Sequence, residues 1–260
     1  MIPAKDWKSI IEYTNLKSPK SKDIKAFVKK ANQEKYYGVC MQHGDLGVAA
    51  KVRVPELKLI TVAGFPPFQA WPLYQTRKDP RIQLYLGLYT KKEIDRVKSI
   101  IDDPLVDELD LVFPMYWYAR GELARIYKFF KGVKQRFKKP VKVITELGTI
   151  FKNRINLFEI ADLIEQSGVD FFKTNTGLIP TNFTMMAAGI QEVRDLKPNL
   201  HFKASGGIRT LSQVRFLMSL GVERIGTSNI TDDSIQLKAQ GDEKLVLGKE
   251  EVRKDEDAAY

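Results

Sequence analysis

The sequence predicts an α/β fold, a (β/α)8 TIM barrel with an N-terminal helix, and three observations lead there. Short β-branched or apolar runs alternate with longer stretches of helical periodicity, the pattern of consecutive parallel βαβ units. Eight such short runs occur in order along the chain. The length of 260 residues suits one barrel of about 250 residues. A doubly wound sheet is the rival arrangement, but it would announce a nucleotide site by G-x-G-x-x-G after an early strand, and that motif is missing.

Taken in order, the strands are expected near Ile11 to Thr14, Gly38 to Met41, Leu59 to Ala63, Glu108 to Val112, Val141 to Glu146, Phe171 to Thr174, His201 to Ala204 and Arg224 to Gly226. From Glu146 to Lys173, from Lys173 to Lys203 and from Lys203 to Ile225, each interval leaves room for a loop, a helix and the next strand. The segment "NLFEIADLIEQSG" shows the helical spacing best. Leu157, Ile160, Ala161 and Ile164 recur three and four residues apart, and Gly168 is placed to end the helix.

Two stretches leave this rhythm. Residues 66–90, rich in proline and aromatic side chains, read as an insertion that either forms a lid or subunit contact or packs on its own barrel. Residues 248–260 carry charges of both signs with few apolar anchors, so the barrel is expected to span 1–247 and the tail to be mobile. Long aromatic loops are often buried against a neighbour, which points to a homodimer.

Composition narrows the class. Hydrophobic residues at 43% and charged residues at 28% allow a large core and a soluble surface. Cys40 stands alone, so no intramolecular disulfide and no cysteine-based zinc site can form, which fits a reducing cytoplasm. The first residues lack the roughly 7 to 15 residue apolar core of a secretion signal, and no membrane span is expected. The net charge of +10 fits either a nucleic-acid-binding surface or a basic enzyme that attracts phosphorylated substrates. Runs such as "FFKGVKQRFKK" fit solvated helix faces, and no zinc-finger or RNP pattern accompanies them, so nucleic acid is not the expected partner.

Barrels place the C-terminal ends of their strands at the reactive face. Lys173, in "GVDFFKTNTGLIP", falls there, and Lys203, in "HFKASGGIRT", takes the same place on the next strand. Neighbouring strands lie about 5 Å apart, so the two ammonium groups would repel by roughly 3 kcal/mol at an effective dielectric near 20. That repulsion lowers one pKa by about two units, and desolvation by Phe171 and Phe172 acts in the same direction. A neutral amine at this position is a nucleophile able to condense with a carbonyl. Beside it, Gly206 and Gly207 precede a helix with Thr210 as N-cap, and Gly226, Thr227 and Ser228 form another strand-to-helix turn. Backbone N–H groups at such turns bind phosphate.

In this order and spacing, "ELDLVFP", "VKVITELG", "FFKTNTG", "FKASGGIRT" and "ERIGTS" resemble the class I deoxyribose-phosphate aldolase family. "IIEYTNLK", "YYGVCMQH" and "AGFP" extend the resemblance toward the front of the chain. The resemblance implies a reversible cleavage of 2-deoxy-D-ribose 5-phosphate to acetaldehyde and D-glyceraldehyde 3-phosphate, with no metal or other cofactor. It implies that Lys173 forms the Schiff base, that Lys203 depresses its pKa and joins proton transfer, and that Asp110 works in the proton relay. Lys142, Glu12, Thr14 and Cys40 fall at supporting positions, and Thr176, Gly177, Gly206, Gly207, Thr227 and Ser228 at the phosphate end.

Read from the residues alone, Lys142 is equally explained by a buried pairing with Glu146 or Glu12, and Cys40 by a small buried hydrophobe. His43 and His201 suggest neither a metal pair nor a triad. Glu12 stands where the family has aspartate, Asn175 replaces a serine, and Leu178 takes a place that some members fill with lysine. Tyr260 matches a terminal tyrosine of some members, and a solvated tail end explains it as well. Those departures leave two alternatives. One is a lysine aldolase of the same fold acting on another phosphorylated sugar or keto acid. The other is a noncatalytic nucleic-acid-binding barrel.

Overall fold

The computed structural model describes residues 6–17, 20–66 and 86–231. Most of the 66–90 insertion, the 248–260 tail and Tyr260 lie outside the described residues. Eight parallel strands close into a barrel in simple sequential order. They are β1 Ile11–Asn15, β2 Gly38–Met41, β3 Lys58–Ala63, β4 Glu108–Val112, β5 Val141–Ile144, β6 Phe171–Lys173, β7 His201–Ser205 and β8 Arg224–Thr227. The predicted N-terminal helix is a single 3-10 turn, Trp7–Ile10, capped by Asp6.

Period-two alternation divides each strand between two environments. Leu59, Leu109, Leu111, Val141, Val143, Phe172, Phe202 and Ala204 join the helices in one continuous apolar core. The other phase points into the barrel, where Cys40, Ile60, Val62, Val112 and Ile144 form a second, smaller cluster. Glu12, Glu108, Asp110, Lys142, Lys173 and Lys203 occupy the same inward phase on β1, β4, β5, β6 and β7, and all are buried. One part of the barrel interior is therefore apolar and the other ionic.

The helices cover the outer face with stripes the sequence spells out. Leu157–Gln166 buries Leu157, Ile160, Ala161 and Ile164, Leu123–Arg136 buries Ile126, Phe130 and Val133, and Phe183–Leu196 buries Met186, Ile190 and Val193. Each large apolar side chain removed from water contributes about 1.5–3 kcal/mol. Helix starts are fixed by side chains that accept the first free N–H groups: Asn156, Asn182 and Thr210, the last in a reciprocal capping box with Gln213. Gly168, at φ 76°, ends the helix before β6 as expected. Among the described residues no helix is long and apolar enough to cross a membrane.

The fifth strand stops earlier than the sequence suggests. Glu146 enters the left-handed region, with φ 60° and ψ 67°, and opens the short helix Leu147–Lys152 instead of extending β5.

Candidate active site

In the ladder between β6 and β7, Lys173 lies opposite Lys203. Both ammonium groups donate to one oxygen, Asp110 Oδ2, at 2.7 Å from Lys173 and 2.6 Å from Lys203. Lys142 reaches the other oxygen, Oδ1, at 3.1 Å. A single carboxylate on β4 thus gathers three lysines from β5, β6 and β7. Asp110 and Glu108 sit two residues apart, so both face inward, and Glu108 pairs with Lys142 and accepts from Tyr37. Glu12 on β1 pairs with Lys203 and lies 3.3 Å from Lys142. Arg224 on β8 approaches Glu12 at 4.0 Å and stacks over the Tyr37 ring.

Each buried lysine therefore faces at least one buried carboxylate, which a site sealed from water requires. The lysines are not equivalent. Burial pushes Lys173 below the ordinary lysine value; Asp110 opposes that and Lys203 adds to it. Burial also acts on Lys203, but Asp110 and Glu12 together outweigh it and hold its pKa up. For Asp110, burial is outweighed by Lys142, Lys173 and Lys203, so it stays ionised well below the usual carboxylate range. The depression expected for one of the two lysines is present, but burial contributes more to it than lysine–lysine repulsion, and Glu12 is what spares Lys203. Phe171 shares the inward phase with Lys173. Phe172, expected as part of its apolar wall, instead points to the helix layer and packs on Phe202 at 5.8 Å.

A cavity of about 140 Å³ opens above Lys173, lined by Thr14, Thr176, Gly177, Ser205, Gly206, Gly207, Arg209, Gly226, Thr227 and Ser228 among others. A second cavity of about 490 Å³ shares Thr14, Thr176, Gly177, Arg209 and Ser228 with it and adds Tyr13, Lys17, Phe27 and Leu178. All six side chains and glycines expected at a phosphate end line the first cavity, but their donors are not all free. Thr176 gives both its backbone N–H and its hydroxyl to Glu146. The Thr227 hydroxyl lies 2.8 Å from the Ile208 and Asn229 carbonyl oxygens. Backbone at Gly177, Gly206 and Gly207 and the Ser228 hydroxyl remain to line this cavity, with the exposed Arg209 guanidinium 3.1 Å from Ser228.

The remaining predicted residues separate into two groups. Lys142 and Glu12 belong to the ionic interior, and Thr14 lines the cavity while its hydroxyl donates to the Glu12 carbonyl at 3.0 Å. Cys40 lies 3.9 Å from Asp110 Oδ2. Burial and then Asp110 push its thiol up to about 11, so it is a proton-bearing buried group rather than a nucleophile. The pairing considered between Lys142 and Glu146 does not form, because Glu146 turns to Thr176. Asn175 is buried and holds the Ser205 carbonyl at 3.0 Å, tying β6 to β7 without lining either cavity. His43 pairs with Asp103 and His201 with Glu223, both away from Lys173.

Sequence reasoning missed Glu108, Tyr37, Arg224, Ser205 and Arg209. The Glu-x-Asp spacing in "ELD" was the signal for Glu108, since alternate residues share one strand face. Arg209 lies two residues after the second glycine of "GGIRT".

No protein-family model matches the chain. The deoxyribose-phosphate aldolase of Mycoplasmoides pirum is 28% identical over 232 residues, covering 86% of this chain and 94% of that protein. The deoxyribose-phosphate aldolase of Thermococcus gammatolerans is 28% identical over 236 residues, covering 84% and 91%. The solved structure of QR15, an aldolase, superposes with a TM-score of 0.65 at 25% identity, over 88% of this chain and 92% of that one. The chain resembles the deoxyribose-phosphate aldolases. Against that family's pattern, the Asn175 departure concerns strand coupling rather than the cavity. Leu178, buried with Ile144 and Ile179 in the interior apolar cluster, is the departure that lines the larger cavity.

Proposed function

We propose that this chain is a Schiff-base aldolase that reversibly cleaves 2-deoxy-D-ribose 5-phosphate to acetaldehyde and D-glyceraldehyde 3-phosphate. The observation that carries the reading is a buried lysine with a depressed pKa, Lys173, at the floor of a cavity whose rim is built from glycine turns. Its ammonium shares an oxygen of Asp110 with a second lysine.

In the cleavage direction the neutral Lys173 amine attacks the substrate aldehyde carbon, C1. Loss of water from the resulting carbinolamine gives an iminium. Asp110, which accepts from the reacting nitrogen, and Lys203, which donates to the same Asp110 oxygen, exchange the protons that these steps require. A base takes the C3 hydroxyl proton, the C2–C3 bond breaks, and its electron pair passes to the iminium nitrogen. C3 to C5 leave as glyceraldehyde 3-phosphate. Protonation of the enamine at C2 and hydrolysis then release acetaldehyde and restore Lys173. Glu12 and Lys142 keep the interior neutral while these protons move. The glycine turns and Arg209 receive the phosphate, and no cofactor enters any step.

Steady-state cleavage of deoxyribose phosphate by the wild type and by Lys173→Leu tests the reading. Turnover by the wild type with a loss of at least about 10⁴-fold in the variant is expected. Retained turnover in the variant removes Lys173 from its role. Leu178 and the larger cavity favour one second reading, a lysine aldolase for another phosphorylated sugar or keto acid. Trapping with a ketone or keto acid but not with acetaldehyde would select it.

A further inference from the structure

Glu146 takes no part in the chemistry above, yet it is held at cost. It is 1% exposed, and its backbone sits in a left-handed conformation that residues with a Cβ rarely adopt. As the residue opening the helix Leu147–Lys152 it is placed to cap free N–H groups, but its side chain makes no capping bond. It reaches instead to the turn after β6. There its Oε2 accepts from the Thr176 N–H at 2.9 Å and from the Thr176 hydroxyl. The other oxygen, Oε1, is buried with no hydrogen-bond partner among the described residues. The Thr176 hydroxyl in turn accepts from the Leu178 N–H at 3.0 Å, closing a tight loop around Gly177, whose φ is 81°.

Thr176 and Gly177 line both cavities, and Lys173 is three residues before Thr176. A left-handed backbone, an uncapped helix and a half-unpartnered buried carboxylate all serve this single contact. Such outliers persist where surrounding structure over-determines them, commonly beside a ligand. We propose that Glu146 is a positioning residue. By drawing both Thr176 donors away from the cavity it fixes the turn at residues 176–178, so that the Gly177 backbone rather than the Thr176 side chain meets the anionic end of the substrate. The inference rests on the reading of the cavity as a site for a phosphorylated aldehyde.

The test compares deoxyribose 5-phosphate with unphosphorylated deoxyribose on wild type, Glu146→Ala, Glu146→Gln and Thr176→Val. In Glu146→Ala, KM for the phosphorylated sugar rises at least about tenfold, kcat falls no more than about threefold, and KM for deoxyribose is unchanged. The Gln amide oxygen still accepts both Thr176 donors, so Glu146→Gln restores KM to within about threefold of wild type. Thr176→Val raises KM less than Glu146→Ala and adds nothing to it in the double variant, because both remove one contact. Equal losses on the two sugars, or an unchanged KM for the phosphorylated one, overturn the proposal.

Should Glu146→Ala fail to fold, Thr176→Val carries the test, and an unchanged KM there overturns it. Should the wild type fail to cleave deoxyribose phosphate, the functional reading is lost while the role of Glu146 is still measured by calorimetric titration with inorganic phosphate. Affinity at least about fivefold weaker in Glu146→Ala and Thr176→Val supports the role, and equal affinity overturns it.

Discussion

Lys173 and Lys203 donate to the same oxygen of Asp110, at 2.7 and 2.6 Å, but only Lys203 also pairs with Glu12. That one additional carboxylate separates two otherwise matched strand-end lysines. Lys203 is held charged, and Lys173, with Asp110 as its only ion-pair partner among the described residues, is pushed toward the neutral amine.

Glu12→Gln removes the difference. Lys203 loses a group that raises its pKa, so its amine becomes neutral at lower pH and competes with Lys173 for the aldehyde. Turnover falls about tenfold to a hundredfold, and reductive trapping followed by peptide mapping finds label on Lys203 as well as Lys173. Label confined to Lys173 at wild-type turnover would remove Glu12 from this role.

Asp110→Asn acts on Lys173 in the opposite sense from its effect on rate. Asp110 raises the Lys173 pKa, so its neutralisation lets the amine lose its proton at lower pH. The acid limb of the kcat/KM profile, where activity rises as Lys173 deprotonates, moves to lower pH. The plateau falls about 10²–10⁴-fold because the proton relay is lost. A limb that moves to higher pH contradicts this electrostatic assignment.

Glu146 makes stability depend on pH. Burial, opposed by the Thr176 bonds and by Lys173, lifts its carboxyl from 4.5 to about 7. A folded-state pKa above the unfolded value means that the native state binds the proton more tightly. The stabilisation is full below about pH 4.5 and is lost as pH rises through about 7, amounting to about 3 kcal/mol. Urea unfolding at pH 5 and pH 8 should show wild type losing most of that relative to Glu146→Gln, whose side chain does not ionise. Parallel changes in the two proteins would contradict it.

Gly226 makes room for the lysine stem. A Cβ there would stand 3.3 Å from Lys203 Cε and 3.1 Å from Ser205 Cβ. Gly226→Ala displaces the ammonium from Asp110 and lowers kcat by about tenfold or more, while thermal unfolding moves only a few degrees. Unchanged kcat would show that Lys203 tolerates the shift.

Most of the fold was legible because it rests on patterns local to the chain. "LFEIADLI" spells out a helix stripe, "KLITVA" a strand with two apolar faces, and "GGIRT" a glycine turn followed by a helix N-cap. The opposed placement of Lys173 and Lys203 was legible too, since consecutive barrel strands bring equivalent strand ends together. What the sequence hides is how charges from distant strands divide among one another. Glu12 and Lys203 are far apart in the chain and meet only because β1 closes onto β8, beside β7. Phe172 was assigned to the wrong face because the apolar pair "FF" carries no phase of its own, and only the inward Lys173 settles it. The engagement of Thr176 by Glu146 depends on a left-handed residue that no composition rule marks, and it withdraws two donors that the sequence offered to phosphate.

The central claim is that Lys173 is the amine that becomes covalently bonded to substrate. Borohydride reduction in the presence of acetaldehyde, followed by mass analysis of the peptides, measures it most directly. One ethyl group on the peptide containing Lys173, absent in Lys173→Leu, is the expected result. An unmodified Lys173 peptide in a protein that turns over deoxyribose phosphate, or a label only on Lys203, would contradict it.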